Sequence, residues 1–184
     1  MIFTAVFVYS SNKYIRGAMI IIPVIAAGTL YLRLNYNYIR LFTSGRINLW
    51  NSASMVIKKH PLVGVGGSGM LDSIYNARVT FDLPGIKYGG LHNIYFQIAT
   101  VNGLISLAMF LSALIIMIIF IVNKIDELKR KEKARMTVLF SMLIGILAVN
   151  MFESSLIYII SYISITFWIF SGYLISMLDN KNFN

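Results

Sequence analysis

The sequence predicts an all-α integral membrane protein with about four full transmembrane helices, an N-terminal half-helix and one long extracytoplasmic loop. Three observations carry that prediction. Of 184 residues, 58% are hydrophobic and only 12% charged, too apolar a mixture for an ordinary water-soluble domain. The run GLISLAMFLSALIIMIIFIV, residues 103–122, holds no charge. At about 1.5 Å per residue it is long enough for a hydrocarbon core of about 30 Å. The basic segment NKIDELKRKEKAR follows that run and precedes another apolar stretch, the pattern of a short cytoplasmic loop.

In chain order, MIFTAVFVY is apolar but too short to span and lacks the basic lead-in of a signal peptide. It reads as a half-helix. A lone half-helix would leave backbone groups unsatisfied in lipid, so residues 1–184 are expected to form a single membrane domain, the carboxy-terminal part of a larger protein. The full spans are expected at residues 18–32, 103–122, 137–152 and 156–178, with Pro23 tolerated in the first because neighbouring helices can satisfy the freed carbonyl. Lys124, Lys129, Arg130, Lys131, Lys133 and Arg135 place their loop in the cytoplasm. It follows that Lys13 and Arg16 are cytoplasmic, residues 33–91 form the extracytoplasmic loop, the turn at 150–155 is external and the tail DNKNFN is cytoplasmic.

The absence of cysteine excludes disulfides, thiolate catalysis and sulfur-held zinc, and two histidines, His60 and His92, do not make a histidine-rich metal site. No metal or cofactor is expected. The net charge of +9 is spread over membrane loops, with no compact nucleic-acid recognition domain between them. The bilayer itself, with its anionic lipids, and lipid-linked phosphates are the expected partners.

Within the extracytoplasmic loop, Ser44 is a candidate cap for a helix over GRINLWNSASMVIKK, which sets Ile47, Trp50, Ala53, Ser54 and Ile57 on one face and ends before Pro61. Lys58 and Lys59 suit the negative end of the helix dipole, whereas Arg46 in the first turn opposes the positive end. A phosphate bound there would make Arg46 favourable, through backbone N–H groups, the dipole and a bidentate guanidinium. The alternative is an exposed arginine with its charge in water. In HPLVGVGGSGM, Gly64, Gly66 and Gly69 match the dinucleotide-binding glycine pattern by letter, but no βαβ unit surrounds them, so they read as a tight turn that lets backbone approach backbone or a ligand. Residues 71–90 read as irregular, a candidate lid. Asp72 and Asp82 within it read as solvated acids or a carboxylate pair.

A helix beginning near His92 would carry His92 and Gly103 on one stripe, with Tyr95, Phe96 and Ala99 between them, and small Gly103 and Ser106 would admit a close neighbour. Imidazole exchanges protons near neutral pH, and at the top of a spanning helix it meets substrates anchored in the same membrane. Glu153, in NMFESS, is expected at the same membrane level, where it either orients the imidazole or caps an exposed turn.

Taken together, TSGRINLW, HPLVGVG and LHNIYFQIATVNGLIS ahead of a spanning helix resemble the O-antigen ligase and Wzy-type polysaccharide polymerase family, over residues 44–178. The resemblance implies a GT-C-like, metal-independent membrane glycosyltransferase of the bacterial cytoplasmic membrane. Its donor would be an undecaprenyl-pyrophosphate-linked glycan, used at the extracytoplasmic face. His92 matches the family histidine proposed as base, and Arg46 the arginine that engages the donor pyrophosphate. Arg40 and Asn93 join Arg46 as candidate substrate-binding residues, and Glu153 lies where an important acid occurs. Ser106 stands where ligases more often carry glycine, threonine or tyrosine, which favours a polymerase over a ligase acting on a terminal acceptor. Basic residues of the family's amino-terminal half are not in this sequence, so the missing half or other polysaccharide-assembly proteins are expected partners. A transporter-like fragment or a non-catalytic truncated product are the competing readings; a transporter should show paired breaks within its spans.

Overall fold

A computed structural model describes residues 2–10, 12–78, 80–86 and 90–180, with the backbone alone at 13, 20, 24 and 31. Lys87 and Gly89 of the loop and residues 181–184 of the tail lie outside the described residues. Among the described residues the chain is helical, without strands: α1 (Ile2–Tyr9), α2 (Lys13–Arg33), α3 (Tyr36–Phe42), α4 (Arg46–Lys59), α5 (Gly66–Ala77), α6 (Ile94–Asp126), α7 (Arg130–Val149) and α8 (Tyr162–Asp179). Two of these, α6 and α8, are long and apolar enough to cross a membrane; α2 carries a shorter apolar stretch, Tyr14–Leu30. The helices form two compact units.

The first unit comprises Met1–Arg33, Ile115–Ala148 and Tyr162–Asn184. Its buried side chains include Val8, Ile121, Ile125, Met136, Phe140, Leu143, Phe167 and Leu174. The expected half-helix is α1, and α2 continues through Pro23. Arg16 donates from Nη1 and Nη2 to the two carboxylate oxygens of Asp126 at 2.6 and 2.8 Å, and also to the carbonyls of Phe7 and Val8. Lys133 Nζ donates to Asp126 Oδ1 at 2.9 Å. These hydrogen bonds hold the carboxyl of Asp126 below the usual carboxylate range, the one from Arg16 contributing most. Part of the basic segment is thereby an organised ion-pair cluster.

The second unit comprises Leu34–Leu114 and Val149–Ser161. Leu49, Ala53, Val56, Met70, Ile74, Ile86, Leu91 and Val101 make its core, so α4 packs on α5 and on the first part of α6. Four expectations are corrected here. The buried face of α4 runs through Ile47, Asn48, Leu49, Ser52, Ala53 and Val56, leaving Trp50, Ser54 and Ile57 half-buried. Ser44 is not its cap: Gly45 holds that position at φ 79°, and the side-chain acceptor is Thr43 Oγ1, which takes the Ile47 N–H at 3.3 Å. Residues 71–77 are not irregular, because α5 runs to Ala77. The stretch expected to span from residue 156 is folded into turns up to 161, with Leu156 buried at 1% exposure and the N–H of Ser155 bonded to Asn150 Oδ1. Hydropathy registers the apolar side chains there but not the turn bonds that stop the helix.

The stripe from His92 to Gly103 is also corrected. The helix starts at Ile94, and at Gly103 its backbone leaves helical geometry, at φ 84° and ψ 171°. The loop after α4 enters that break. The Val65 N–H donates to the Thr100 carbonyl at 2.9 Å, and the Leu104 N–H donates to the Pro61 carbonyl at 2.7 Å. Gly103 lies so close to the Leu62 carbonyl that a side chain would overlap it, and a Cβ on Gly64 (φ 66°) would lie 2.5 Å from the Val101 carbonyl. Gly64 thus makes a backbone-on-backbone crossing, the tight turn expected of it, whereas a Cβ on Gly66 would meet open space and Gly69 lies within α5.

Candidate active site

Three chain segments of the second unit meet at the site: the start of α4, residues 90–93 ahead of α6, and the turn after α7. Asn93 organises the junction. Its Oδ1 accepts the N–H groups of Tyr95 and Phe96, both at 3.0 Å, capping α6. Its Nδ2 donates to the Met151 carbonyl at 2.8 Å, its own N–H donates to Ser154 Oγ at 3.1 Å, and the neighbouring Ile94 N–H donates to the Asn150 carbonyl at 3.1 Å. The turn bearing Glu153 is therefore stitched to the start of α6.

His92 precedes the cap in left-handed geometry, at φ 47°. Trp50 supports it from α4, donating from Nε1 to the Leu91 carbonyl at 3.0 Å while stacking on Phe96 at 5.9 Å and 4°. The Leu91 N–H is bonded to Gln97 Oε1 at 3.1 Å. Nδ1 of His92 is buried and faces Glu153 Oε2 at 3.6 Å, longer than a hydrogen bond but within ion-pair reach.

Glu153 Oε1 lies 3.4 Å from Arg46 Nη2, and Arg46 Nη1 donates to the Phe152 carbonyl at 2.5 Å. Arg46, Glu153 and His92 thus form one row, with the acid between the two basic groups. The first-turn N–H groups of α4 are engaged, Arg46 with the Thr43 carbonyl, Ile47 with Thr43 Oγ1 and Asn48 with the Gly45 carbonyl. An anion at this helix start would therefore meet the guanidinium rather than bare backbone donors.

Arg40, in the last turn of α3, lies with Asp82 rather than in that row, donating from Nε and Nη2 to Oδ2 at 3.2 and 2.5 Å. Asn48 Nδ2 donates to the Asp82 carbonyl at 3.0 Å and to Oδ2 at 3.4 Å, and Tyr36 Oη donates to Asn48 Oδ1. A cavity of about 270 Å³ opens beside the pair, lined by Arg40, Leu41, Ser44, Gly45 and Asp82. Asp82 does not pair with Asp72, which is exposed on α5. Gly85, at φ 71°, lies against the imidazole: a Cβ there would come within 2.5 Å of His92 Nε2. Sequence reasoning missed Gly85 and the partner of Asp82, since nothing in DLPG signals which distant side chain the turn will touch. His60 is exposed, ending α4 on the rim of a separate cavity that Lys59, Ser73 and Asn76 also line. Among the described residues no cluster of histidine, cysteine and acidic groups has metal-binding geometry.

Comparison with known proteins returned one family. The model described as O-antigen ligase matches residues 1–111, which include Arg40, Arg46, His92 and Asn93; Glu153 lies beyond the matched region. No curated protein and no solved structure matches the chain.

Proposed function

Since the chain belongs to the O-antigen ligase family, we propose that it is a membrane glycosyltransferase of GT-C-like architecture, with four spans and the 33–91 loop on the outer side of the bacterial cytoplasmic membrane. It polymerises glycan units carried on undecaprenyl pyrophosphate. The observation that carries this reading is the convergence of His92, Glu153 and Arg46 from three separate segments, each polar group within 3.6 Å of the next.

In the reaction, the bond between the anomeric carbon and the diphosphate oxygen breaks, and the electron pair leaves with the lipid diphosphate. Arg46, aided by Arg40, stabilises that charge. A hydroxyl of the acceptor glycan forms the new bond to the anomeric carbon and gives its proton to His92 Nε2. Glu153 faces the other nitrogen, so it favours the tautomer with hydrogen on Nδ1 and stabilises the imidazolium that forms. Asn93 acts by holding His92 to the Glu153 turn. A single displacement inverts the anomeric configuration. No metal or nucleotide sugar takes part.

The matched family's description as a ligase favours a second reading, in which the same residues transfer a finished glycan to a terminal acceptor. Reconstitution in liposomes with polyprenyl-diphosphate-linked repeat units separates the two. A ladder of lengthening glycans supports the polymerase, a single addition to an added acceptor supports the ligase, and no transfer from a correctly inserted protein contradicts both.

A further inference from the structure

Asp82 has the surroundings of a bound anion. One of its carboxylate oxygens receives Arg40 Nε, Arg40 Nη2 and Asn48 Nδ2, and its backbone carbonyl takes a further bond from Asn48. This donor set, a guanidinium with a neighbouring amide, is the kind that recognises phosphate oxygens. The adjoining cavity of about 270 Å³ leaves room for a group larger than a carboxylate.

Three residues on, the same segment lies against the imidazole. The backbone of Gly85 stands where its Cβ would be 2.5 Å from His92 Nε2, so the segment crowds one side of an imidazole whose side chain is 19% exposed. Pro84, between them, has a fixed φ and packs toward Gly45, where a Cβ would lie 3.2 Å from Pro84 Cγ. Pro84 thus stiffens the link between Asp82 and Gly85.

We propose that Asp82 is an internal stand-in for the donor's phosphate: a diphosphate displaces it from Arg40 and Asn48, and residues 80–86 then withdraw from His92 Nε2. The inference rests on the roles given above to Arg40 and His92 and adds an order of events. The Arg40–Asp82 pair is about half exposed, at 51% and 44%, so it is a weak latch that a more highly charged ligand can open. Donor binding widens the approach to the base, so acceptor activation is favoured once the diphosphate is in place.

The test uses the whole chain in nanodiscs, with His60→Gln to leave one histidine, and inorganic pyrophosphate as the probe. Binding is measured by calorimetry, and exposure of His92 by its rate of carbethoxylation, read by mass spectrometry. Pyrophosphate should accelerate modification several-fold. Asp82→Asn should be fast without pyrophosphate and bind it about fivefold more tightly, as loss of an exposed competing ion pair implies. Modification of the Asp82-containing protein that is unchanged or slowed by saturating pyrophosphate, or absence of pyrophosphate binding, overturns the latch. That arm needs no Asp82 variant, so misfolding of Asp82→Asn leaves the question decidable. Because the readout is accessibility rather than turnover, the latch and the glycosyltransferase reading fail separately. A glycan ladder made by a protein whose His92 never responds to pyrophosphate removes only the latch.

Discussion

Glu153 Oε2 stands 3.6 Å from Nδ1 of His92, and the same carboxylate reaches Arg46 with its other oxygen at 3.4 Å. One acid therefore sets the positions of both the candidate base and the candidate phosphate-binding group. Glu153→Gln keeps the shape but removes the negative charge beside Nδ1. Glycan transfer should fall by on the order of 100-fold, with donor affinity changed much less. Equal loss in both would assign Glu153 to donor binding instead.

Asn93 caps α6 and ties it to the turn after α7. Asn93→Ala should cost about 1–2 kcal/mol in stability from the cap alone. Asn93→Asp retains the capping oxygen but sets a charged acceptor against the Met151 carbonyl in place of the donor. Thermal unfolding in detergent should rank wild type above Asp and Asp above Ala; the same order in the transfer rate would follow if the cap also aligns His92.

Gly103→Ala should be among the most damaging single changes. Its φ of 84° with ψ 171° is a glycine conformation, and a Cβ would overlap the Leu62 carbonyl. Backbone strain alone is worth about 1–3 kcal/mol, and the overlap forces the 61–65 loop out of the break. Gly145→Ala is the control, since a Cβ there meets nothing within 4 Å. Comparable unfolding temperatures for the two variants would contradict the crossing.

Asp126 provides a pH test in the other unit. Its folded pKa is lowered, first by the hydrogen bond from Arg16 and then by Lys133, and it lies beyond the apolar run of α6. A depressed folded pKa means stability that is present above the unfolded carboxylate value and is lost as pH falls through the lower folded value. The unfolding temperature should therefore decline below the ordinary carboxylate range, and Asp126→Asn should flatten that acid limb while lowering the plateau at neutral pH.

The sequence made the helical class and the long apolar run after Gly103 legible, because absence of charge over that length has few other physical explanations. It also singled out Arg46, His92 and Glu153, which the fold brings together within the second unit. The rest depended on backbone conformation. Gly103 reads as a small residue on a continuous stripe, yet it breaks α6 because a distant loop bonds into the gap, and no local pattern encodes that. Ser44 has the composition of a cap, but the chain turns left-handed at Ser44 and Gly45, handing the role to Thr43. Asp82 and Gly85 acquire their meaning only from Arg40 and His92, which approach from elsewhere in the chain.

The central claim is that His92 receives the acceptor's proton while Arg46 carries the leaving diphosphate. The most direct measurement is the glycan ladder formed from polyprenyl-diphosphate-linked repeat units by reconstituted wild type, His92→Ala and Arg46→Ala, each checked for insertion and folding. The account predicts a loss of at least about 100-fold for either substitution. An undiminished ladder from His92→Ala would contradict it.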